Sequence, residues 1–362
     1  MGTQEPVGGA RARVELTDVV LGWGRSSTVR LGRYFSSDSR SEDADDPAAS
    51  SGRLCAVKLL HPSWCYEHKD RVVREIEHLC ELSVWGHPFI VRMLDVELLP
   101  GGLALIMEYQ EGVQTLDKLQ ETHGGRLPQS VARELFQQLM IAMEFCHRIG
   151  LSNRDCKITD LLVRVCPSSG DVRLQLADFS FAKDADKDED SNPMAQHGSA
   201  LFAAPEVITA SHAARYAGAK ADIWSCGVVL CTLLFGCHPH LAAADLDAAP
   251  GDQILLILQN AVAGRIMVPR EEAAAQPEAY ALMAAMLTVN PAARPDATAV
   301  LGHPWMRAGL GSGAAPELAE LNSGLLADGR LRAEAAARGA EVRGRVAGLL
   351  DSLLGVAAAR RR

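Results

Sequence analysis

The sequence predicts an α+β chain in two lobes, a smaller strand-rich one followed by a larger helical one. Three observations predict it. Runs of buried-strand length dominate to about residue 110 and helical periodicity dominates after about residue 127, with one crossover between them. At 362 residues, 48% of them hydrophobic, the chain is long enough to build two cores. Its 22% charged residues and mean hydropathy near zero belong to an ordinary core-forming composition.

The elements follow in order. Val14–Tyr34 and Leu54–Leu60 read as β-like runs. The polar, acidic stretch between them, Ser36–Gly52, has no apolar periodicity and reads as a loop inserted between strands. Arg74-Glu75-Ile76 opens a helical pattern, with Ile76, Leu79 and Leu82 one, four and seven residues after Glu75. Counting from Glu77 instead puts His78 and Glu81 at the first and fourth of those places, so Glu75 is the better partner for a strand cation. Leu103–Tyr109 is a continuous apolar run of strand length. Arg133–His147 carries Leu135, Phe136, Leu139, Met140, Met143 and Phe145 at helical spacing, and Asp222–Gly236 is apolar almost all round. Asp184–Asn192 is a second acidic stretch. After Trp305 the chain turns rich in Ala, Gly, Leu and Arg. There Val342, Val346, Leu349, Leu350, Leu353 and Leu354 recur at three and four residues, an amphipathic helix with Glu341, Arg343 and Arg345 elsewhere on it.

Charge and composition narrow the function. Lys plus Arg total 36 and Asp plus Glu 45, a formal balance of −9 that argues against nucleic-acid binding. The longest uninterrupted apolar run, Gly227–Cys237, is too short to cross a bilayer, so no transmembrane segment is expected. No secretory pattern opens the sequence, and Met1-Gly2 has Pro6 where a myristoylation site wants Ser or Thr. Nine cysteines without a Cys-x-x-Cys pair read as reduced thiols. The expected compartment is the cytoplasm, the nucleus or both.

Three groups of residues carry chemistry. Leu21-Gly22-Trp23-Gly24, between two strand-like runs, lets a hairpin backbone approach phosphates closely. Cys55-Ala56-Val57-Lys58 ends a buried strand on a Lys whose meaning depends on a partner carboxylate. Asn153-Arg154-Asp155-Cys156-Lys157-Ile158-Thr159-Asp160-Leu161-Leu162, followed by Ala177-Asp178-Phe179-Ser180, sets acids and a Lys at distances that suit metal-phosphate chemistry. Beyond them stand Gly198–Glu206 (GSALFAAPE), Asp222–Gly227 and Arg294-Pro295.

In order and spacing these segments resemble a eukaryotic protein kinase over about residues 14–307. More narrowly the chain is similar to the calcium/calmodulin-dependent group, and within it to the sucrose-non-fermenting-related kinases of plants and green algae. The residues behind that choice are Val91-Arg92, Leu103–Tyr109, Leu135–Leu139, Ala182-Lys183 and Ala221–Gly227. The resemblance implies the two-lobed kinase fold, with a small lobe over 14–108, a large lobe over 109–307 and a tail over 308–362. It implies transfer of the γ-phosphate of ATP, with Mg²⁺, to serine or threonine of protein substrates. By the same resemblance Leu21, Gly22 and Gly24 cover the phosphates. Val29, Ala56 and Leu162 enclose the adenine, with Met107 behind it and Glu108 and Tyr109 in the hinge. Lys58, paired with Glu75, holds the α- and β-phosphates. Asp155 accepts the hydroxyl proton, Lys157 neutralises the γ-phosphate, and Asp160 and Asp178 hold the metal. Glu206 and Arg294 form a buried pair, and Ser199 keeps the hydroxyl of the serine/threonine branch. The tail helix is expected to pack on the small lobe against the helix that carries Glu75.

The sequence also departs from the family. Asn153 stands for a His or Tyr that packs on Phe179, Ser180 for a Gly, Asp160 for an Asn, Ser27 for the third loop Gly and Ser26 for an aromatic tip. These predict slower turnover; the alternative they open is a pseudokinase acting as a nucleotide-binding scaffold. Ala195, Gln196 and His197 replace the usual phosphorylated Ser or Thr, and Asp186, Asp188, Glu189 and Asp190 are expected to supply the missing negative charge to Arg154. Gln114 replaces a Glu that grips basic substrates.

Overall fold

The computed structural model describes residues 13–35, 52–184, 199–209, 216–308 and 314–359. Most of the insertion at 36–52, the acidic residues from 185 to 192 and the residues from 195 to 198 therefore lie outside the described residues. Contacts divide the chain into two compact units. The first comprises residues 1–84, 91–111 and 336–362; the second comprises 85–90 and 112–335.

The first unit is built on a five-stranded antiparallel sheet in the order β1-β2-β3-β5-β4. Its strands are β1 (Arg13–Trp23), β2 (Ser27–Phe35), β3 (Arg53–Leu60), β4 (Met93–Leu99) and β5 (Gly102–Glu108). Side chains alternate across a pleated strand, so the register sorts residues by face. Cys55, Val57, Leu59, Ala104 and Ile106 form one apolar cluster, with Val14, Leu16, Tyr34, Leu94 and Leu99 packed against it. The other face carries Ala56 opposite Leu31 and Met107, and Lys58 opposite Val29 and Leu105. Two helices complete the sheet's connections, α1 (Pro62–Glu67) and α2 (Lys69–Trp85).

The second unit is mainly helical. It contains α3 (Leu116–Thr122), α4 (Gln129–Arg148), α5 (Pro205–Thr209), α6 (Gly218–Phe235), α7 (Pro250–Val262), α8 (Arg270–Ala275), α9 (Pro277–Met286), α10 (Ala297–Leu301), α11 (Pro304–Arg307) and α12 (Ala314–Ala327). It also holds small antiparallel sheets, whose strands are too short to stand out in the sequence. β6 (Val113–Thr115), β8 (Leu161–Val165) and β9 (Val172–Leu176) form one, and β7 (Leu151–Ser152) pairs with β10 (Lys183–Asp184). The core centres on α4 and α6. From Ala221 to Leu230 every residue of α6 is buried, and α6 stops at Gly236, whose φ of 66° is the left-handed cap that glycine adopts without strain. Among the described residues α6 alone is long and apolar enough to cross a membrane, and 83% of it is buried within the protein.

A final helix, α13 (Gly329–Ala359), runs from the second unit into the first. Val342, Val346 and Leu350 are buried along one side of it. In the first unit Arg343 lies 2.5 Å from Glu77, Arg345 2.8 Å from Asp95 and Asp351 2.6 Å from Lys69. In the second unit α12 contributes a buried Asn322. Its Nδ2 donates to the Ile141 carbonyl (2.9 Å) and to Glu144 (2.5 Å), and its Oδ1 lies 3.1 Å from His87 Nε2. His87 Nδ1 accepts the Phe89 N–H, which fixes the ring as the neutral Nε2–H tautomer donating to Asn322. All nine cysteines are free thiols.

Candidate active site

The first unit places Lys58 Nζ 2.7 Å from Glu75 Oε1, with side chains only 13% and 4% exposed. Glu77, two residues on, faces Arg343 instead. Val29, Ala56, Lys58 and Met107 share one face of the sheet, and Ala56 and Lys58 are half-buried where the opposite face is closed. In the β1–β2 hairpin, Gly24 N–H closes the turn on the Ser27 carbonyl at 2.8 Å, while Gly22 lies opposite Val29. A Cβ added at Gly22 would meet nothing within 4 Å, and its φ is not positive. The backbone at Gly22 is thus open on the side where a Cβ would stand. Leu21 is half-buried beside it. Glu108 is pinned at the end of β5: its N–H donates to the Arg92 carbonyl, and its carboxylate meets Arg53 at 2.9 Å and Arg92 at 3.5 Å. Tyr109 follows, half-buried.

The second unit gathers the acids. Residues 153–157 leave β7 as an irregular loop, and a single buried carboxylate on α6 shapes it. Asp222, 0% exposed, accepts the Arg154 N–H at 2.6 Å through Oδ1 and the Asn153 N–H at 2.9 Å through Oδ2. His147 Nε2 also reaches Oδ2, at 2.9 Å. Arg154 is the one non-glycine described residue with positive φ, 68°, a conformation that persists only when neighbours impose it. Asp222 supplies that constraint beside Asp155. The sequence marks Asp222 only as part of the Asp222–Gly227 motif and gives His147 no role; the one signal for Asp222 is a lone acid at the head of an apolar run.

Asp155 is 8% exposed. Lys157 Nζ sits 2.5 Å from Asp155 Oδ2 and 2.7 Å from Asp160 Oδ2, so one ammonium bridges two carboxylates. Burial alone would lower the Lys157 pKa, but the charges of Asp160 and then Asp155 outweigh it and raise it overall. Burial, and after it the charge of Asp178, pushes the Asp160 carboxyl up to about 7. The Asp160 carboxylate, desolvated and repelled by the half-buried Asp178, makes with it a hard-oxygen donor pair whose repulsion a divalent cation would relieve; the residues present fit Mg²⁺. Leu162 is half-buried on β8, opposite Gln175 and Thr115.

Neighbouring residues hold the site's frame. Arg154 Nε donates to the Tyr216 hydroxyl at 2.8 Å, and its guanidinium lies 4.7 Å from that ring's centre. Arg294, 1% exposed, grips Glu206 through two bonds of 2.7 and 3.0 Å and stacks on Trp224 at 5.1 Å. Cys156, beside Asp155, is buried with its sulfur 3.9 Å from that of Cys226. The Cys226 contact and then burial raise its pKa, which keeps it a thiol.

The protein kinase domain family matches residues 47–306. The chain is 30% identical over 286 residues to CBL-interacting protein kinase 20 of Oryza sativa subsp. japonica, covering 78% of this chain and 58% of that protein. It is 30% identical over 257 residues to serine/threonine-protein kinase SAPK9 of the same plant, covering 71% and 65%. Against serine/threonine-protein kinase SRK2I of Arabidopsis thaliana it is 31% identical over 253 residues, covering 70% and 64%. The chain thus spans about three-fifths of the length of these relatives. With that match over most of its length, this chain belongs to the protein kinase domain family.

Proposed function

We propose that the chain transfers the γ-phosphate of ATP to serine or threonine hydroxyls of protein substrates, using Mg²⁺. The observation that carries the reading is the Asp155–Lys157–Asp160 cluster, whose loop is held by Asp222. Asp155 takes the proton of the attacking hydroxyl as its oxygen bonds to the γ-phosphorus and the bond to the ADP oxygen breaks. Lys157 stabilises negative charge on the transferring group, and Lys58, oriented by Glu75, stabilises it on the α- and β-phosphates. Gly22 and Gly24 leave the hairpin backbone beside Leu21 able to approach phosphate oxygens. Val29, Ala56 and Leu162 offer apolar surface to the base, with Met107 behind and Glu108 and Tyr109 at its edge. Asp160 and Asp178 would hold Mg²⁺, which supplies charge neutralisation on the phosphates when bound.

The catalytic domain is assigned to 14–307, and its tail to 308–362. The ion pairs of α13 support a role for the tail: by holding Glu77 and Lys69 it would steady α2 and with it Glu75. Action in the cytoplasm or nucleus accords with nine free thiols. The scaffold alternative rests on the departures at Asn153, Ser180, Asp160, Ser27 and Ser26, and against it every acid and base that the reaction uses is present. The deciding experiment is autophosphorylation and generic-substrate labelling with Mg²⁺ or Mn²⁺. Asp155→Asn is expected to lower the rate by roughly 10²–10⁴-fold. Absence of labelling from the unaltered chain, with metal-dependent ATP binding retained, would establish the scaffold instead.

A further inference from the structure

Two departures from the family pattern converge on one residue. Asn153 is 1% exposed. Its Nδ2 donates to the main-chain carbonyl of Asp178 at 2.7 Å, and its Oδ1 accepts the main-chain N–H of Asp155 at 3.2 Å. One amide therefore ties the loop that carries Asp155 to the segment that carries Asp178. At the other end of the same residue, the Ser180 N–H donates to Asp178 Oδ1 at 2.9 Å, and the Ser180 hydroxyl donates to that oxygen too. A glycine at 180 would supply the N–H alone, and an imidazole at 153 would titrate near neutral pH where an amide does not.

We propose that Asn153 and Ser180 are positioning residues that act as a pair. Asn153 fixes the main chain of Asp178 against Asp155, and Ser180 fixes the direction of the Asp178 carboxylate. The inference rests on the phosphotransfer reading for its purpose, but the clamp itself is a property of the chain without ligand. On this account the two substitutions compensate for the lost family residues, and the glycine that frees the segment in relatives is replaced by a residue that restrains it.

The test uses the full chain. Hydrogen exchange resolved at single amides, without metal or nucleotide, is expected to show at least tenfold faster exchange at Asp155 in Asn153→Leu. Ser180→Ala should leave that amide unchanged. Electron paramagnetic resonance then reads Mn²⁺ affinity with a non-hydrolysable ATP analogue. The Mn²⁺ Kd is expected to rise roughly tenfold in Asn153→Leu and about threefold in Ser180→Ala, while Ser180→Thr, which restores the hydroxyl, stays at the starting value. The double variant should lose less than the product of the two, because both act through Asp178. Should Asn153→Leu not fold, Asn153→Ala carries the same expectations. Unchanged exchange at Asp155 overturns the role of Asn153. A Mn²⁺ Kd in Ser180→Ala equal to the starting one overturns that of Ser180. If the unaltered chain binds no Mn²⁺–nucleotide and labels no substrate, the phosphotransfer reading fails, while the exchange result still decides whether Asn153 holds the loop.

Discussion

At the scale of residues, burial decides which charges matter. Lys58 and Glu75 are shielded enough that removing one leaves the other's charge less well compensated. Glu75→Ala is expected to lower unfolding free energy by about 3 kcal/mol, and Lys58→Met with Glu75→Leu to recover most of it. Glu77→Ala, whose partner Arg343 is 54% exposed, should lose no more than about 1 kcal/mol. Urea titrations of the four chains check the order. His87 gives a pH prediction. Burial pulls its pKa down to about 4, against a smaller opposing effect of Asn322, so the unfolded chain binds a proton at pH values where the folded one does not. Stability from this group is complete above about pH 6.5 and falls as pH drops toward 4. Between pH 7.5 and 5 the loss is about 2 kcal/mol. His87→Asn should flatten the pH dependence of urea stability by that amount, and an identical slope in both chains would count against a neutral buried ring.

At the scale of elements, the last helix supplies a contrast of size. A side chain at Gly339 would overlap Glu81, whereas one at Gly344 would meet nothing within 4 Å. Gly339→Ala has only the flexible, half-buried Glu81 side chain to push aside, which offsets part of the gain in helix propensity, so its net effect is expected to stay within about 1 kcal/mol. Gly344→Ala should stabilise by up to about 1 kcal/mol, since glycine in a helix interior is entropically costly. Melting curves should place Gly344→Ala above Gly339→Ala, and equal shifts would show that α13 does not seat on Glu81. Elements with strong periodicity were legible in the sequence: the spacing over Arg133–His147 belongs to α4, at Gln129–Arg148. The choice of Glu75 over Glu77 was legible from Ile76, Leu79 and Leu82, which are all buried. Short strands were harder. Val172–Leu176 alternates buried and less buried residues over five positions, too few to stand apart from a loop. The hidden work of Asp222 was not legible, because which main-chain amides a carboxylate accepts depends on a loop conformation that local sequence does not encode. Asn322 is similar: its partners lie between 178 and 235 residues away.

At the scale of the whole molecule, each unit carries a separate part of the charge that the proposed reaction uses: Lys58 with Glu75 in one, Asp155, Lys157, Asp160 and Asp178 in the other. Binding and chemistry can therefore be separated by variant. ATP with Mg²⁺ at one hundred times its Kd is expected to stabilise the folded chain by about 2.7 kcal/mol, because only the folded state binds it. Withdrawing the metal with a chelator should remove most of that gain. Asp178→Asn should remove the metal-dependent share while leaving some response to ATP alone. Lys58→Met should weaken the response to ATP with or without metal. Asp155→Asn should keep the full gain and lose only the transfer rate, since its role is to accept a proton and not to hold the nucleotide. Thermal melts across a series of ATP concentrations, with and without chelator, read all four chains. If Asp155→Asn lost the ligand-induced gain as completely as Asp178→Asn, the division of labour assigned to these two carboxylates would have to be abandoned.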